Sequence, residues 1–212
     1  LCEQGYWKAA QILTDMGIAP QRDLLAHHDS LYLAYQAGQE QLVYSLMSKH
    51  PGHYEHCLHK AIARGDESMV RQLIEHGSDP LQDLLWGNGL KAALVAKQSA
   101  VFFNLIQLPA VVQHLATYIE EKLTLFHVAC NSGQAELIHA LLREWPELES
   151  HLGKPRFFFA AAYSGNMETV QIFLDRGSDK LQKDHAGRTA LHYAAEKASG
   201  PFLEQLCSWG LA

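Results

Sequence analysis

Long apolar stretches and clustered positive charges are missing from this 212-residue sequence. A membrane-spanning helix needs about 20 consecutive apolar residues, and no run approaches that length, so we expect no membrane span. No secretory signal is visible. The 17 basic residues form no run and the formal net charge is −6, which argues against nucleic acid as a partner because nucleic-acid-binding faces need clustered basic residues.

Catalytic sequence motifs are missing as well. The sequence contains no G-x-S-x-G, no P-loop and no G-x-G-x-x-G motif. The pair closest to a nucleophile and base is Cys130 with His127, but Cys130 occupies a small core position, whereas a reactive thiol needs exposure. The carboxylate pairs Glu120–Glu121 and Asp66–Glu67 fit solvated turns and helix starts. We therefore expect no enzyme activity, no catalytic residue and no cofactor.

Apolar residues at helical spacing are abundant instead, in a sequence that is 48% hydrophobic. Leu137, Ile138, Leu141 and Leu142 follow one another at intervals of three and four, which is the stripe of a half-buried helix. Glycines recur between and after such stripes, where a positive φ ends a helix at low cost. No alternating strand pattern is present. The pattern predicts an all-α chain of short helix pairs.

The densest motif is DHAGRTALHYAA, from Asp184 to Ala195. It resembles the opening of an ankyrin repeat, whose T-P-L-H-x-A core begins a unit of about 33 residues with a β-turn and two helices. Thr189 and His192 fill their positions, and Ala190 replaces the proline. The resemblance implies a solenoid of stacked helix-turn-helix pairs, since no single pair can bury its apolar face alone.

The same frame extends over nearly the whole chain as one domain, residues 1–212, with about six and a half repeats. The repeats are 1–23 (partial), 24–50, 51–83, 84–118, 119–150, 151–183 and 184–212. Repeat 84–118 is degenerate and is placed by the period of about 33 residues. The chain begins in mid-repeat without an initiator methionine, so we expect it to be a fragment of a longer protein.

The resemblance also implies a structural role for the histidine of the motif, which hydrogen-bonds across the turn. His192 would pair with Thr189, and His127 with Thr124. His59 fills the same position in the third repeat. In the sixth repeat Phe159 replaces this histidine, so the polar brace is expected to be weaker there.

Ankyrin proteins generally bind other proteins through a concave face made of turns and first-helix ends. In this sequence two aromatic residues, Trp86 and Tyr163, are the expected anchors of that face, since exposed aromatics dominate interface energies. Alternatively, Trp86 covers core left open by the degenerate repeat. The other candidate contact residues are His53, Arg64, Lys97, Gln98, Asn131, Ser132, Ser164, His185, Arg188, Glu196 and Lys197.

Three functional hypotheses follow. The leading one is a monomeric protein-interaction scaffold, and the second is a targeting module of a larger enzyme or of a bacterial effector delivered into host cells. The third is a metal- or redox-responsive switch at the cluster from His50 to His59, although its spacing lacks a second ligand pair and we expect no metal. Because the four cysteines are spread over different repeats, we expect them reduced and the protein cytoplasmic, in the host cytoplasm for an effector.

Overall fold

The computed structural model describes residues 7–15, 30–49, 54–83, 87–197 and 199–211. Within these ranges the chain forms helices and turns and no strand, which confirms the all-α prediction. Contacts between Cα atoms divide the chain into two compact units, Leu1–Gln107 and Leu108–Ala212. No single helix in the described ranges has both the length and the apolar character to cross a membrane.

The described helices of the first unit are one helix followed by three pairs: α1 Trp7–Asp15, α2 Ser30–Gln36, α3 Glu40–Lys49, α4 Glu55–Arg64, α5 Glu67–Glu75, α6 Gly89–Val95 and α7 Ser99–Ile106. Within each pair the two helices pack on each other, and α4 also packs on α2 and α6. The first helices of successive pairs are therefore neighbours, as in a stacked repeat. Helices α6 and α7 both lie within the range 84–118 that the sequence assigns to the degenerate repeat.

The second unit contains these described helices: α8 Pro109–Thr117, α9 Ile119–Asn131, α10 Ala135–Glu144, a 3-10 helix Pro146–His151, α11 Pro155–Tyr163, α12 Met167–Asp175, α13 Ala190–Ala195 and α14 Gly200–Ser208. Helix α11 packs between α9 and α13, and α12 packs on both α10 and α11. The three first helices α9, α11 and α13 thus form one continuous row.

Side chains close the starts of several second helices. The carboxylate of Asp66 accepts a hydrogen bond of 3.0 Å from the Met69 N–H at the start of α5. The Asn166 side chain does the same for Thr169 at the start of α12, also at 3.0 Å. These contacts satisfy backbone donors that have no partner within the helix.

Glycines in the left-handed region end first helices, as the sequence pattern predicts. Gly65 follows α4 with φ 74° and Gly133 follows α9 with φ 67°. Both also lie against the next repeat, because a Cβ on Gly65 would meet the Gln98 side chain and one on Gly133 would lie 3.0 Å from the Asn166 Cβ. At these positions backbone conformation and close packing both favour glycine.

The core of the second unit is built from four fully buried phenylalanines, Phe126, Phe157, Phe158 and Phe173. The ring centroids of Phe126 and Phe157 lie 5.2 Å apart in an edge-to-face arrangement, which aromatic pairs prefer. The alanines of the row, Ala129, Ala161 and Ala194, are also fully buried. Their small side chains allow α9, α11 and α13 to approach closely, as expected from the motif.

Candidate protein-binding groove

A groove of about 670 Å³ lies along α9, α11 and α13 of the second unit. The turn before α13, residues 183–188, borders it and is called the finger below. The side chains that line the groove are His127, Asn131, Pro155, Arg156, Phe159, Ala160, Tyr163, Lys183, Asp184, His185, Tyr193 and Glu196. The groove therefore combines apolar and aromatic surface with charged groups, which is the composition of a binding site rather than of a core.

Asp184 organises the finger. Its Oδ1 accepts hydrogen bonds of 2.8 Å from the backbone N–H groups of Ala186 and Arg188. Its Oδ2 accepts from the Arg188 guanidinium at 2.8 Å and from the Tyr193 hydroxyl at 2.9 Å. Burial alone would raise the pKa of Asp184, but these hydrogen bonds to Arg188, Tyr193 and Ala186 hold it well below its usual range.

Thr189 and His192 close the start of α13. The Thr189 N–H donates to Nδ1 of His192 at 3.2 Å, and the Thr189 Oγ1 lies 3.0 Å from the same nitrogen. The two residues form a capping box in which the histidine takes the place that Glu or Gln usually occupies. The predicted brace between these two side chains is confirmed.

Aromatic rings form the floor of the groove. Phe159 and Tyr193 stack face to face, with centroids 4.8 Å apart and planes inclined by 7°. Phe159 thus replaces the histidine of its repeat by packing directly onto the next first helix. Tyr163, at the end of α11, is half-buried, and the Lys197 ammonium lies 5.1 Å from its ring centroid.

Models of the ankyrin repeat match two parts of the chain. A model of three repeat copies matches residues 126–211, and a single-repeat model matches residues 53–83. The chain belongs to the ankyrin-repeat family. The groove accordingly lies on the first-helix side of the ankyrin stack in the second unit, where turns and helix ends meet.

Two relatives from Caenorhabditis elegans are similar to this ankyrin chain. Leucine-rich repeat serine/threonine-protein kinase 1 is 34% identical over 82 residues, which are 38% of this chain and 3% of that protein. A homolog of transient receptor potential cation channel subfamily A member 1 is 28% identical over 144 residues, or 67% of this chain and 12% of that protein. The chain spans only a small part of either relative.

The ankyrin groove brings together four of the expected contact residues, Asn131, Tyr163, His185 and Glu196. Ser132 follows α9 as its C-terminal cap. Whether these residues contact a partner stays a prediction.

Three more expected contact residues border this groove or the turns beside it. Ser164 lies in the turn after α11, where its hydroxyl donates to the Ala161 carbonyl and accepts from the Asn166 N–H. Arg188 is held by Asp184, and Lys197 covers Tyr163. Their contact with a partner also stays a prediction.

Several residues of the groove were not foreseen as contacts: Arg156, Phe159, Lys183, Asp184 and Tyr193. Lys183 and Asp184 directly precede His185, which was expected on the finger. Including every charged residue at the start of the finger among the candidate contacts would have identified Lys183 and Asp184. The approach of Arg156 and Tyr193 to the same groove depends on the packing of α11 and α13 and has no local signal.

His127 lies at the edge of the groove, half-buried beside the Phe157 ring. Burial lowers the pKa of His127, and the positive charge of Arg156 lowers it further. Its predicted brace with Thr124 is wrong, because Thr124 lies inside α9 and its hydroxyl donates to the Glu120 carbonyl at 2.8 Å. The reason is that α9 begins at Ile119, five residues before the position at which the motif places a helix cap.

In the first unit a second groove, of about 430 Å³, includes the expected contact residue Arg64. The guanidinium lies 4.9 Å from the ring centroid of Tyr35 and donates to the Tyr35 carbonyl at 3.5 Å. Tyr35 in turn donates to Asp66 at 3.0 Å, and burial together with this carboxylate raises the pKa of Tyr35 to about 12. Arg64 is thus engaged in holding two neighbouring first helices together.

Two further expected contacts of the first unit, Lys97 and Gln98, lie in the turn after α6. Lys97 adopts a positive φ of 59°, and the Gln98 amide donates to the Ala63 carbonyl at 3.4 Å. The Gln98 contact links this turn to the end of α4. Trp86 and His53 lie outside the described residues.

The proposed metal or redox cluster is described only in part, since His50 and His53 lie outside the described residues. Cys57 is fully buried. His59 is half-buried, and burial, aided by His56, lowers its pKa. The described residues contain no group of three His, Cys, Asp or Glu side chains placed to hold a metal.

Proposed function

We propose that this chain is a protein-interaction scaffold without catalytic activity, and that a partner protein binds in the groove along α9, α11 and α13. The observation that supports this is the aromatic floor of Phe159, Tyr193 and Tyr163 within a polar rim. Aromatic residues surrounded by polar groups are the usual anchors of protein interfaces. Ankyrin repeats are in general protein-interaction modules, and the groove follows their first-helix side.

The test uses peptides selected from an unbiased displayed library against the complete 212-residue chain. Binding of a selected peptide is measured by fluorescence anisotropy for Tyr163→Ala and for Tyr118→Ala. Tyr118 is 56% exposed and does not line the groove, so it is a matched control. We expect Tyr163→Ala to weaken binding about tenfold, as loss of an aromatic anchor does, with an unchanged melting temperature.

The control variant should bind like the wild type. Selected peptides that are insensitive to Tyr163→Ala but lose affinity in Tyr118→Ala would contradict the proposed site. Selected peptides whose binding is unchanged in both variants would show that the binding site lies outside this groove.

A second candidate function is a targeting module within a longer protein, an enzyme or a delivered effector. It is favoured by the small share of the kinase and channel relatives that this chain covers, 3% and 12% of their lengths. Sequencing the full-length gene tests it, and an open reading frame limited to these repeats would contradict it.

Three other hypotheses stay proposals with simple tests. Among the described residues, Cys130 and Cys207 are free thiols, which supports a reducing, cytoplasmic location, and fractionation of the producing cells tests that location. A monomeric state is tested by light scattering. The switch at His50–His59 requires stoichiometric zinc in purified protein or a thiol-dependent change in melting.

A further inference from the structure

The two carboxylates of the groove are partly neutralised by one arginine of the same chain. Asp184 accepts from the Arg188 guanidinium at 2.8 Å and from the Tyr193 hydroxyl at 2.9 Å. Glu196 lies 3.6 Å from another nitrogen of the same guanidinium. One arginine therefore bridges both acidic residues, and the three side chains together carry a net charge of −1.

The cations of the groove are not neutralised in this way. Arg156 and Lys183 line the groove and are exposed. Among the residues that the structure describes, neither forms an ion pair, and the Arg156 guanidinium lies 4.6 Å from the Phe157 ring centroid. The Lys197 ammonium adds a third positive charge beside Tyr163. The groove is thus locally positive in a chain whose net charge is −6.

The positive charge of Arg156 also acts on His127. After burial, the Arg156 charge is the second cause that lowers the pKa of this imidazole. An occupant that brought a carboxylate to Arg156 would relieve this repulsion, because an opposite charge nearby favours the protonated ring. His127 therefore reports on the charge of whatever occupies the groove.

From this charge pattern we infer that the groove accepts an acidic segment of a partner protein, with aspartate or glutamate side chains at Arg156 and Lys183 and an apolar side chain on the floor of Phe159 and Tyr193. The inference rests on the proposed protein-binding function and specifies the chemistry of the partner. Complementary charge sets partner choice and association rate. The stacked rings of Phe159 and Tyr193 contact the apolar side chain of the segment, which a purely acidic segment would lack.

The experiment compares three synthetic peptide pools of equal length with identical apolar positions, in which the other positions are acidic, basic or uncharged. Anisotropy on the complete chain measures binding to the wild type and to Arg156→Ala/Lys183→Ala. The charge-matched control is Arg71→Ala/Arg143→Ala, which removes two exposed cations of α5 and α10. A single-stranded oligonucleotide is a fourth probe.

We expect the acidic pool to bind most tightly to the wild type. Its affinity should fall about tenfold in Arg156→Ala/Lys183→Ala and less in the control Arg71→Ala/Arg143→Ala. Its binding should also weaken at high salt. Nuclear magnetic resonance should show a higher pKa of His127 in the complex. The melting temperature of Arg156→Ala/Lys183→Ala is measured separately. If it is lowered, the binding measurement is repeated with Arg156→Gln/Lys183→Gln, which removes the charges with less loss of side-chain packing.

Other outcomes overturn the inference in distinguishable ways. If the basic or uncharged pool binds as tightly and Tyr163→Ala weakens it, the groove binds protein but the acidic partner is wrong. If the oligonucleotide binds more tightly than the acidic pool and depends on Arg156 and Lys183, the partner class is wrong. If the binding of every pool is unchanged by Tyr163→Ala and by the charge variants, both the inference and the proposed groove are wrong.

Discussion

Helices α9 and α13 contain the same spacing of threonine and histidine but use it differently. In α13 Thr189 precedes the first helical residue and is bonded to His192. In α9 Thr124 lies within the helix and its hydroxyl donates to the Glu120 carbonyl. The same T-x-x-H spacing thus caps one helix and lies in the interior of another.

The residues before the motif explain the difference. Before Thr189 the chain turns through Gly187, with φ 75°, and Asp184 holds that turn with its two backbone hydrogen bonds. Before Thr124 the sequence IEEKL has no glycine or proline and consists largely of good helix formers, with Leu123 fully buried. The comparison teaches that this motif marks a helix start only when a turn is encoded just upstream.

The largest expected loss of stability comes from a substitution just after the C-terminal end of α9. Gly133 has φ 67°, and a side chain there would meet Asn166 and Ser164. We expect Gly133→Val to lower the free energy of unfolding by about 3 kcal/mol, from backbone strain plus crowding. Helix α13 has no equivalent limit, since Lys197, which follows its C-terminal cap Glu196, does not adopt a positive φ. Chemical denaturation measures the loss.

Two control variants separate the causes at Gly133. Ser132→Val alters an ordinary right-handed residue of the same turn and should cost less than about 1 kcal/mol. Gly177 has φ 79° with open space around it, so Gly177→Val isolates strain from crowding. Equal losses for Gly133→Val and Ser132→Val would show that the left-handed conformation does not limit this turn.

A smaller loss of stability is expected for a substitution in the finger, which precedes α13 and has no counterpart before α9. Asp184→Ala removes the acceptor of four hydrogen bonds and should lower the melting temperature by a few degrees. Because the pKa of folded Asp184 lies below its usual value, its contribution is complete above the ordinary carboxyl pKa of about 4 and is lost as the pH falls below it.

Melting curves of wild type and Asp184→Ala between about pH 7 and pH 3 test this dependence. The difference between the two proteins should be constant from neutral pH to about pH 5 and should begin to narrow as the pH falls from about 4 to about 3. Asp184→Asn, which keeps an oxygen acceptor but not the charge for Arg188, should fall between them. A difference that stays constant across the pH range would contradict a role for the ionised carboxylate.

The smallest expected effect is the coupling energy between threonine and histidine, which tests directly whether the pairs in α13 and α9 differ. A double-mutant cycle of Thr189→Ala and His192→Ala should give a coupling of about 0.5–1 kcal/mol, because the side chains share one partly exposed hydrogen bond. The same cycle on Thr124→Ala and His127→Ala should give a coupling near zero. Equal couplings in the two cycles would mean that the two motifs act alike.

The sequence by itself determined the helix pairs, their turns and their repeat period. These follow from local rules, namely the spacing of apolar residues and the ease with which glycine adopts a positive φ, as at Gly65 and Gly133. The brace of Thr189 and His192 was also predictable, because its partners lie within one turn of helix and follow a dense motif.

Only the tertiary structure decided which charges meet in the groove. Arg156, Lys183 and His127 come from three different segments and meet because α11 packs between α9 and α13. The pairing of Arg188 with both Asp184 and Glu196, which leaves Arg156 and Lys183 unpaired among the described residues, likewise depends on where each side chain lies in space. Electrostatic balance depends on distances between side chains, and the repeat pattern fixes backbone positions without fixing those distances.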